Sequence, residues 1–186
     1  MPEAATEVWQ HLFETPFGWV GLLVDASSVW TLSMGCQDPG TCCDRLASES
    51  STLNIDPQVT AMPRGVEKFA KAVEKKILRY ADGGKVELGG VPVQIHARTP
   101  FQTRVLKACH EIPRGKTLTY QQVAEIAGSP KACRAVGNIM AKNKIPLLIP
   151  CHRVVGTNGG LGGFSAPQGI SLKERLLRLE GCGGQA

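Results

Sequence analysis

A cysteine and a histidine stand side by side in the apolar stretch LLIPCHRVVG, residues 147–156. A cysteine attacks as its thiolate, and a nearby imidazole can take up the thiol proton. Cys151 and His152 are therefore a candidate nucleophile and base, and a buried Cys151 that serves only as a small hydrophobe is the alternative. Because consecutive side chains of a strand point to opposite faces, we expect either a bend at Pro150 or a water that bridges the two groups.

Glu180 lies at the end of the segment SLKERLLRLEG, residues 171–181, whose apolar spacing predicts a helix. Ser171 and Glu174 fit a capping box at its start, and Gly181 fits the position after its last residue. An acid in the last turn opposes the helix dipole at a cost of a few tenths to about 1 kcal/mol. A carboxylate that orients His152 would explain this placement, and a solvated surface side chain is the alternative.

Charge is distributed unevenly along the chain. Residues 1–96 hold 8 Lys/Arg and 12 Asp/Glu, a net charge of −4, whereas residues 97–186 hold 13 Lys/Arg and 4 Asp/Glu, a net charge of +9. The two values sum to the +5 of the whole chain. A basic half predicts a polyanionic partner, with nucleic acid the leading candidate, and a solvated basic face without a partner is the alternative.

Three helical patterns occupy the first part of the basic half: FQTRVLKACHEI, YQQVAEIAG and SPKACRAVGNIMAKN. Gly128 ends the second, and Ser129 and Pro130 are a good N-cap and a good first residue for the third. Two helices joined by a tight Ala-Gly-Ser turn predict a helix-turn-helix, although many helical hairpins bind no DNA. Small residues and cations, which favour close approach to a polyanion, lie along the third segment: Ala132, Ala135, Gly137, Lys131, Arg134, Lys142 and Lys144.

Residues 1–96 predict a small α/β domain. The segments TPFGWVGLLV and VWTLSMG flank the polar DASS and predict a β-hairpin, while VEKFAKAVEKKILRY, residues 66–80, has helical spacing. VPVQIHA, residues 91–97, alternates and predicts a strand. Residues 35–65 are rich in Gly, Pro, Ser and Thr and show no period, which predicts a long loop. We therefore expect one domain over residues 1–96 and a second over residues 97–186.

Seven cysteines, an odd number without the spacing of a disulfide framework, predict free thiols in a reducing compartment: Cys36, Cys42, Cys43, Cys109, Cys133, Cys151 and Cys182. Cys36, Cys42 and Cys43 lack the spacing of a zinc site, so we expect no metal. No apolar run is long enough to span a bilayer, and no secretory signal is visible. We expect a cytoplasmic protein, or a nuclear one in a eukaryote, with no membrane partner.

The sequence around Cys151 resembles a known family. IPCHRVV, preceded by RAVGNIMAKNKIPLL, looks like the active-site region of the O6-alkylguanine-DNA alkyltransferases, also called methylated-DNA–protein-cysteine methyltransferases. TPFQTRVL, GKTLTYQQVAEIAGSPKACRAVG and LKERLLRLEG are similar to the same family, and the likeness runs from Thr99 to Gly181. The resemblance implies a ribonuclease H-like N-terminal domain, with a small antiparallel sheet plus a helix. A mostly helical, winged-helix-like C-terminal domain with a helix-turn-helix follows it.

The resemblance implies an irreversible, single-turnover transfer of the alkyl group from O6-alkylguanine, and also from O4-alkylthymine, in DNA to Cys151. This reaction needs no cofactor, and it follows base flipping through the minor groove of double-stranded DNA. By resemblance His152 accepts the thiol proton through a water, and Glu180 orients His152. Tyr120 protonates or hydrogen-bonds the base, and Asn143 braces the turn that presents Cys151. The expected protein is a monomer, with cooperative binding along DNA left open.

Other residues that match the family motifs are implied to contact the DNA or the flipped base. Arg134 would fill the space that the base leaves, and Pro146 would line the alkyl pocket. The carbonyls of Cys151 and Val154 would hold the guanine amino group. The remaining implied contacts are Ser165 near O6, the small residues Ala135 and Gly137 of the groove-facing helix, and Lys173.

Some residues depart from the family pattern, and two other classes of protein stay open. Lys144, Ile139, Leu106 and a longer FSAPQG loop leave the preferred size of the alkyl group undetermined. A cysteine hydrolase acting on small acyl substrates would use the Cys-His pair without DNA. A thiol-based transcription regulator would bind DNA and sense oxidants through Cys151 without alkyl transfer.

Overall fold

The computed structural model describes residues 7–53, 55, 57–58, 61–157, 159–164 and 166–182. The chain divides into two compact units. The first unit consists of Met1–Val86 and Gly90–Gln94, and the second of Glu87–Gly89 and Ile95–Ala186. Within the described ranges, no helix has both the length and the apolar character that crossing a bilayer requires.

A four-stranded sheet forms the centre of the first unit, with strands β1 (Val8–Thr15), β2 (Gly18–Val24), β3 (Val29–Cys36) and β4 (Pro57–Gln58) in the order β3-β2-β1-β4. The predicted hairpin is confirmed as the antiparallel pair β2 and β3. Its turn is held by the Asp25 carboxylate, which accepts hydrogen bonds from the backbone of Ser27 and Ser28 and from the Trp30 indole. The expected antiparallel sheet is wrong in part, because β4 pairs with β1 in parallel and makes the sheet mixed.

Two helices belong to the first unit, α1 (Pro39–Leu53) and α2 (Arg64–Ala81). The helix predicted over residues 66–80 is confirmed as α2. The loop predicted over residues 35–65 is wrong, because α1 occupies 15 of its residues. Only Cys42, Leu46 and Ser50 of α1 are buried, so its inward face is narrow and partly polar. Such a face leaves almost no helical spacing of apolar residues in the sequence. Packing against the sheet stabilises this helix where its intrinsic helix propensity is low.

The strand predicted over residues 91–97 is also wrong. Val93 forms an isolated bridge with Val29, with the Val29 N–H donating to the Pro92 carbonyl and the Gln94 N–H donating to the Val29 carbonyl. No longer ladder follows within the described residues 91–97. The Pro92 nitrogen has no hydrogen to donate, which restricts ladder formation in this segment.

The second unit is mostly helical, with a two-stranded parallel sheet. Its elements are α3 (Pro100–His110), β5 (Leu118–Thr119), α4 (Tyr120–Ile126), α5 (Cys133–Ala141), a short 3-10 helix (Cys151–Arg153), β6 (Val154–Val155) and α6 (Gly169–Leu179). In the sheet, Leu118 pairs with Val154 and Thr119 with Val155. This pairing places the start of α4 beside the segment that carries Cys151.

The helix ends of the second unit follow the sequence in some places and depart from it in others. The Thr99 and Thr119 side chains cap α3 and α4, each in a reciprocal capping box with a glutamine three residues on. Gly128 and Gly181 have positive φ, as expected of residues that follow a helix. The predicted N-cap Ser129 is wrong, because residues 129–132 form a turn and α5 begins at Cys133.

The capping box predicted for α6 is wrong as well. The helix begins at Gly169, two residues before Ser171. The Ser171 hydroxyl donates to the Gln168 carbonyl, 2.7 Å away, and so caps no backbone N–H. A serine and a glutamate three residues apart match a capping box in type, but here the pair lies inside the helix.

Candidate active site

The chain bends sharply where it reaches Cys151. Pro150 has φ −79° and ψ 66°, and the Cys151 N–H donates to the Ile149 carbonyl at 2.8 Å, which is an inverse γ-turn. The Arg153 N–H then donates to the Pro150 carbonyl at 2.8 Å and starts the 3-10 turn. The bend expected at Pro150 is therefore present. In this geometry the side chains of Cys151 and His152 differ in direction by about 120° rather than the 180° of a strand.

Asn143 closes the loop that leads to the cysteine. Its side-chain amide donates to the Ile149 carbonyl at 2.8 Å, and its carbonyl accepts from the Ile145 N–H at 3.1 Å. The same side chain hydrogen-bonds the Cys151 thiol. Asn143 thus joins both ends of the loop to the sulfur, and its burial keeps water away from these bonds.

The Cys151 side chain is buried, with only 4% of the residue exposed. Burial raises the pKa of the Cys151 thiol above its ordinary value. The Asn143 hydrogen bond, the positive charge of Lys173 and the N–H groups of residues 151 and 152 act against burial without overcoming it. The resting sulfur is therefore a thiol that needs a base before it can attack.

His152, Arg153 and Glu180 form a buried cluster. His152 Nε2 lies 3.0 Å from Glu180 Oε1, while Arg153 donates from Nε to Oε2 at 2.9 Å and from Nη2 to Oε1 at 2.8 Å. Burial lowers the pKa of His152, and the nearby Glu180 carboxylate opposes this. His152 Nδ1 is buried and has no hydrogen-bond partner within the part of the chain that the structure describes. The imidazole is thus neutral, with one nitrogen bound to Glu180 and the other available.

Lys173, which the resemblance implies to contact the DNA or the flipped base, is also buried. Its ammonium donates to the Val154 carbonyl at 2.7 Å and to the Leu161 carbonyl. The nitrogen lies 6.0 Å from the centre of the Tyr120 ring. Burial lowers the pKa of Lys173 to about 8, and the charge interaction with Cys151 acts in the other direction. A side chain without exposed surface cannot reach a phosphate, so Lys173 braces the site from inside.

Tyr120 is the first residue of α4 and lies partly buried between two glycines. A Cβ built on Gly162 would collide with the Tyr120 hydroxyl oxygen and would lie 3.2 Å from a ring carbon. A Cβ on Gly137 of α5 would lie 3.9 Å from the other side of the ring. Burial raises the pKa of Tyr120, so the phenol keeps its proton and can donate it.

The remaining predicted residues are divided between the surface and the interior. Arg134 is exposed on α5, where Ala135 and Gly137 are partly exposed. Pro146 is buried in the loop that Asn143 closes. The Val154 carbonyl accepts the Lys173 hydrogen bond described above. Ser165 lies outside the described residues.

No role for Arg153 was evident from the sequence, although the structure makes it the main partner of Glu180. One signal could have identified it. Arg153 lies inside the otherwise apolar run around Cys151, and a charged residue in such a run is almost always paired when it is buried. The partner could not be read from the sequence, because Glu180 is 27 residues further along the chain.

Comparisons with known proteins agree on one family. The family described as 6-O-methylguanine DNA methyltransferase, DNA binding domain, matches residues 100–182. A methylated-DNA–protein-cysteine methyltransferase of Methanosarcina acetivorans is 41% identical over 116 residues, which are 62% of this chain and 71% of the relative. One of Mycolicibacterium paratuberculosis is 34% identical over 83% of this chain and 88% of its own. One of Kluyveromyces lactis is 45% identical, but this chain spans only 51% of it.

Solved structures give the same result for the fold. Mycobacterium tuberculosis O6-methylguanine methyltransferase superposes with a TM-score of 0.71 at 30% identity, covering 96% of this chain and 94% of its own. The crystal structure of Mycobacterium tuberculosis OGT in complex with DNA gives a TM-score of 0.71 at 27% identity, over 97% and 96%. The mixed sheet and the helical second unit are therefore the fold of the alkyltransferase class. The chain belongs to the methylated-DNA–protein-cysteine methyltransferase family.

Proposed function

We propose that this protein repairs DNA by moving the alkyl group of O6-alkylguanine onto Cys151 in one irreversible step. The observation that carries this proposal is the arrangement around the sulfur. A buried thiol that needs a base follows a loop braced by Asn143, and the adjoining imidazole is neutral with one nitrogen available. Family membership and the relative solved with DNA support the substrate class.

In the reaction, His152 accepts the Cys151 proton at Nδ1 through a water, and the sulfur attacks the alkyl carbon in line with the bond to O6. A C–S bond forms as the C–O bond breaks, and the electron pair of the C–O bond stays on O6 of the guanine. The Tyr120 hydroxyl, which keeps its proton because burial raises its pKa, donates to the base as this charge develops. The guanine anion gains its proton from Tyr120, and the proton held on His152 restores the phenol through water, so the transfer needs no cofactor. The thioether is stable, so each molecule acts once.

The target base must leave the duplex before its alkyl carbon can meet a buried sulfur. Extrusion costs a few kcal/mol, and less for a damaged pair. We propose that Arg134, which is exposed on α5, enters the base stack and fills the space that the extruded base leaves. Ala135 and Gly137 would let the same helix approach the minor groove. Pro146, Ser165 and the Val154 carbonyl would form the base pocket, which we expect to accept O4-alkylthymine as well.

We assign residues 1–96 to a ribonuclease H-like domain and residues 97–186 to a winged-helix-like DNA-binding and alkyl-acceptor domain. We expect the protein to act as a monomer in the cytoplasm, or in the nucleus of a eukaryote.

A duplex that carries one O6-[methyl-³H]methylguanine tests the proposal. We expect one label per protein molecule, located on Cys151 by peptide mass spectrometry. Cys151→Ala should keep the affinity for the duplex and transfer nothing. Methyl removal by that variant would disprove the assignment of the nucleophile. Ester turnover that is independent of DNA would identify a hydrolase, and DNA binding without transfer would identify a regulator.

A further inference from the structure

We propose that Arg153 is a positioning residue that holds His152 neutral and protonated at Nε2, the form in which Nδ1 can accept the Cys151 proton. The inference rests on the proposed alkyl transfer and deepens it. It gives a role to a buried charge that the reaction does not otherwise use.

Arg153 is buried and binds both oxygens of Glu180. Its side chain is 3% exposed, and the carboxylate of Glu180 is fully buried. Two guanidinium donors meet the two oxygens of Glu180 at 2.9 and 2.8 Å, and Nη1 donates to the Ile112 carbonyl. A planar guanidinium that makes a bidentate hydrogen bond to both oxygens fixes the plane of the carboxylate as well as its position. Glu180 therefore has one orientation in which to receive His152.

The contact with Glu180 determines which ring nitrogen of His152 carries the hydrogen. Glu180 Oε1 accepts from Arg153 and lies 3.0 Å from His152 Nε2. An ionised carboxylate has no hydrogen to offer, so the hydrogen of this bond belongs to Nε2. In the neutral ring the other nitrogen, Nδ1, then carries the lone pair. This is the buried nitrogen that has no partner among the described residues.

The positive charge of Arg153 opposes the effect of the Glu180 carboxylate on the pKa of His152. A carboxylate by itself favours the imidazolium, and a positive group beside it opposes this effect. Arg153 lowers the pKa of His152, in the same direction as burial and against Glu180. The charged and titratable groups that face this cluster are Lys173 on α6, Glu180 directly after α6, Cys151 and Arg153 on the 3-10 helix, Cys109 on α3, and Cys182, Arg114 and Lys116 near Glu180. Of these, Arg153 alone contacts both oxygens of Glu180 in the described hydrogen bonds.

Single-turnover alkyl transfer between pH 5.5 and 9 tests the inference, with Arg153→Gln and Arg153→Lys compared with the wild type. Arg178→Gln is the matched control, because Arg178 lies on α6 with 72% of its side chain exposed and pairs with Glu174 at 3.6 Å. Without the positive charge, Glu180 favours protonation of His152. The acidic limb of the pH–rate profile should therefore shift upward by about one pH unit in Arg153→Gln. The same limb should stay in place in Arg178→Gln. An unchanged limb in Arg153→Gln overturns the inference.

Arg153→Lys separates charge from geometry, and it still tests the inference if Arg153→Gln does not fold. Lysine keeps the buried pair charged on both sides but has no fork. The acid limb should stay at the wild-type pH, while the plateau rate falls about tenfold or more because Glu180 and His152 lose their fixed orientation. A wild-type plateau in Arg153→Lys overturns the positioning role.

The pKa and tautomer of His152, measured by ¹⁵N NMR without DNA, distinguish failure of this inference from failure of the proposed function. Transfer by the wild type with no change of the His152 signals in Arg153→Gln contradicts the inference alone. A wild type that transfers nothing contradicts the proposed function. In that case a raised His152 pKa in Arg153→Gln still supports the electrostatic role of Arg153.

Discussion

Replacing Gly162 with alanine should displace the Tyr120 side chain while leaving residue 120 a tyrosine. Gly162 has φ +61°, and a Cβ there would overlap the Tyr120 hydroxyl. The neighbouring Leu161 carbonyl is held by the buried Lys173 ammonium, which limits how far the loop can move away. The ring must therefore shift, and the phenol loses the position from which it donates to the base.

Two terms set the size of the effect of Gly162→Ala. A left-handed backbone costs an alanine about 1–2 kcal/mol, which should appear as a loss of unfolding free energy. A hydrogen bond to a charged group contributes about 1.5–3 kcal/mol. If Tyr120 makes such a bond only in the transition state, the transfer rate should fall about 10- to 150-fold.

Single-turnover methyl transfer and urea unfolding measure the two terms separately. Gly163→Ala is the control, because a Cβ there meets no atom within 4 Å, and we expect a change below about 0.5 kcal/mol and no change of rate. In a Tyr120→Phe background the overlapping oxygen is gone and the nearest ring carbons lie at 3.2 and 3.3 Å. The rate effect of Gly162→Ala should then largely vanish. An equal loss of rate in both backgrounds would refute the reasoning.

Three further predictions concern buried polarity, pH and the DNA surface. Asn143→Ala leaves two buried backbone groups without their partner and should lower the unfolding free energy by about 2–4 kcal/mol. The same variant should raise the pKa of the Cys151 thiol further. The pH dependence of alkylation by iodoacetamide, followed by peptide mapping, would show this second effect. Because the pKa of His152 is lower in the folded protein, the unfolded chain binds the extra proton first. Unfolding free energy should therefore fall as the pH drops below about 6.5, by up to about 1.4 kcal/mol per unit, and this contribution should be missing in His152→Asn. Arg134→Ala should weaken binding to alkylated duplex at fixed salt and leave the unfolding free energy within about 0.5 kcal/mol of the wild type, whereas Arg64→Ala on α2 should change neither.

Elements with a strong local pattern could be predicted from the sequence. The hairpin β2–β3 has two β-rich runs around a polar turn, and α2 has an apolar residue at nearly every inward position. The α1 helix could not be predicted, because Ser50 lies on its buried face and its exposed face is equally rich in serine. The start of α5 could not be predicted, because Ser129 and Pro130 suit both a helix cap and the turn that the Ala132 N–H and the Ser129 carbonyl close.

The candidate site shows the same division. The Cys151-His152 pair within an apolar run could be identified from the sequence. Glu180 could be identified as well, because an acid at the end of a predicted helix opposes the helix dipole. His152 and Glu180 are 28 positions apart in the chain, so their contact could not be read from the sequence. Burial, which makes Arg153 and Lys173 structural groups rather than surface cations, is a property of the folded chain. A basic residue in a basic half looks the same in sequence whether it meets a phosphate or a carbonyl.

The shared carboxylate of Glu180 has a consequence for the evolution of this protein. A mutation that removes the charge of either Glu180 or Arg153 alone leaves an unpaired charge in the interior, which costs about 3–5 kcal/mol, whereas replacing both together by apolar residues can be neutral. Positions 153 and 180 should therefore vary jointly or not at all among related sequences. Directed-evolution libraries that randomise one of them should yield few folded variants until the other is randomised as well.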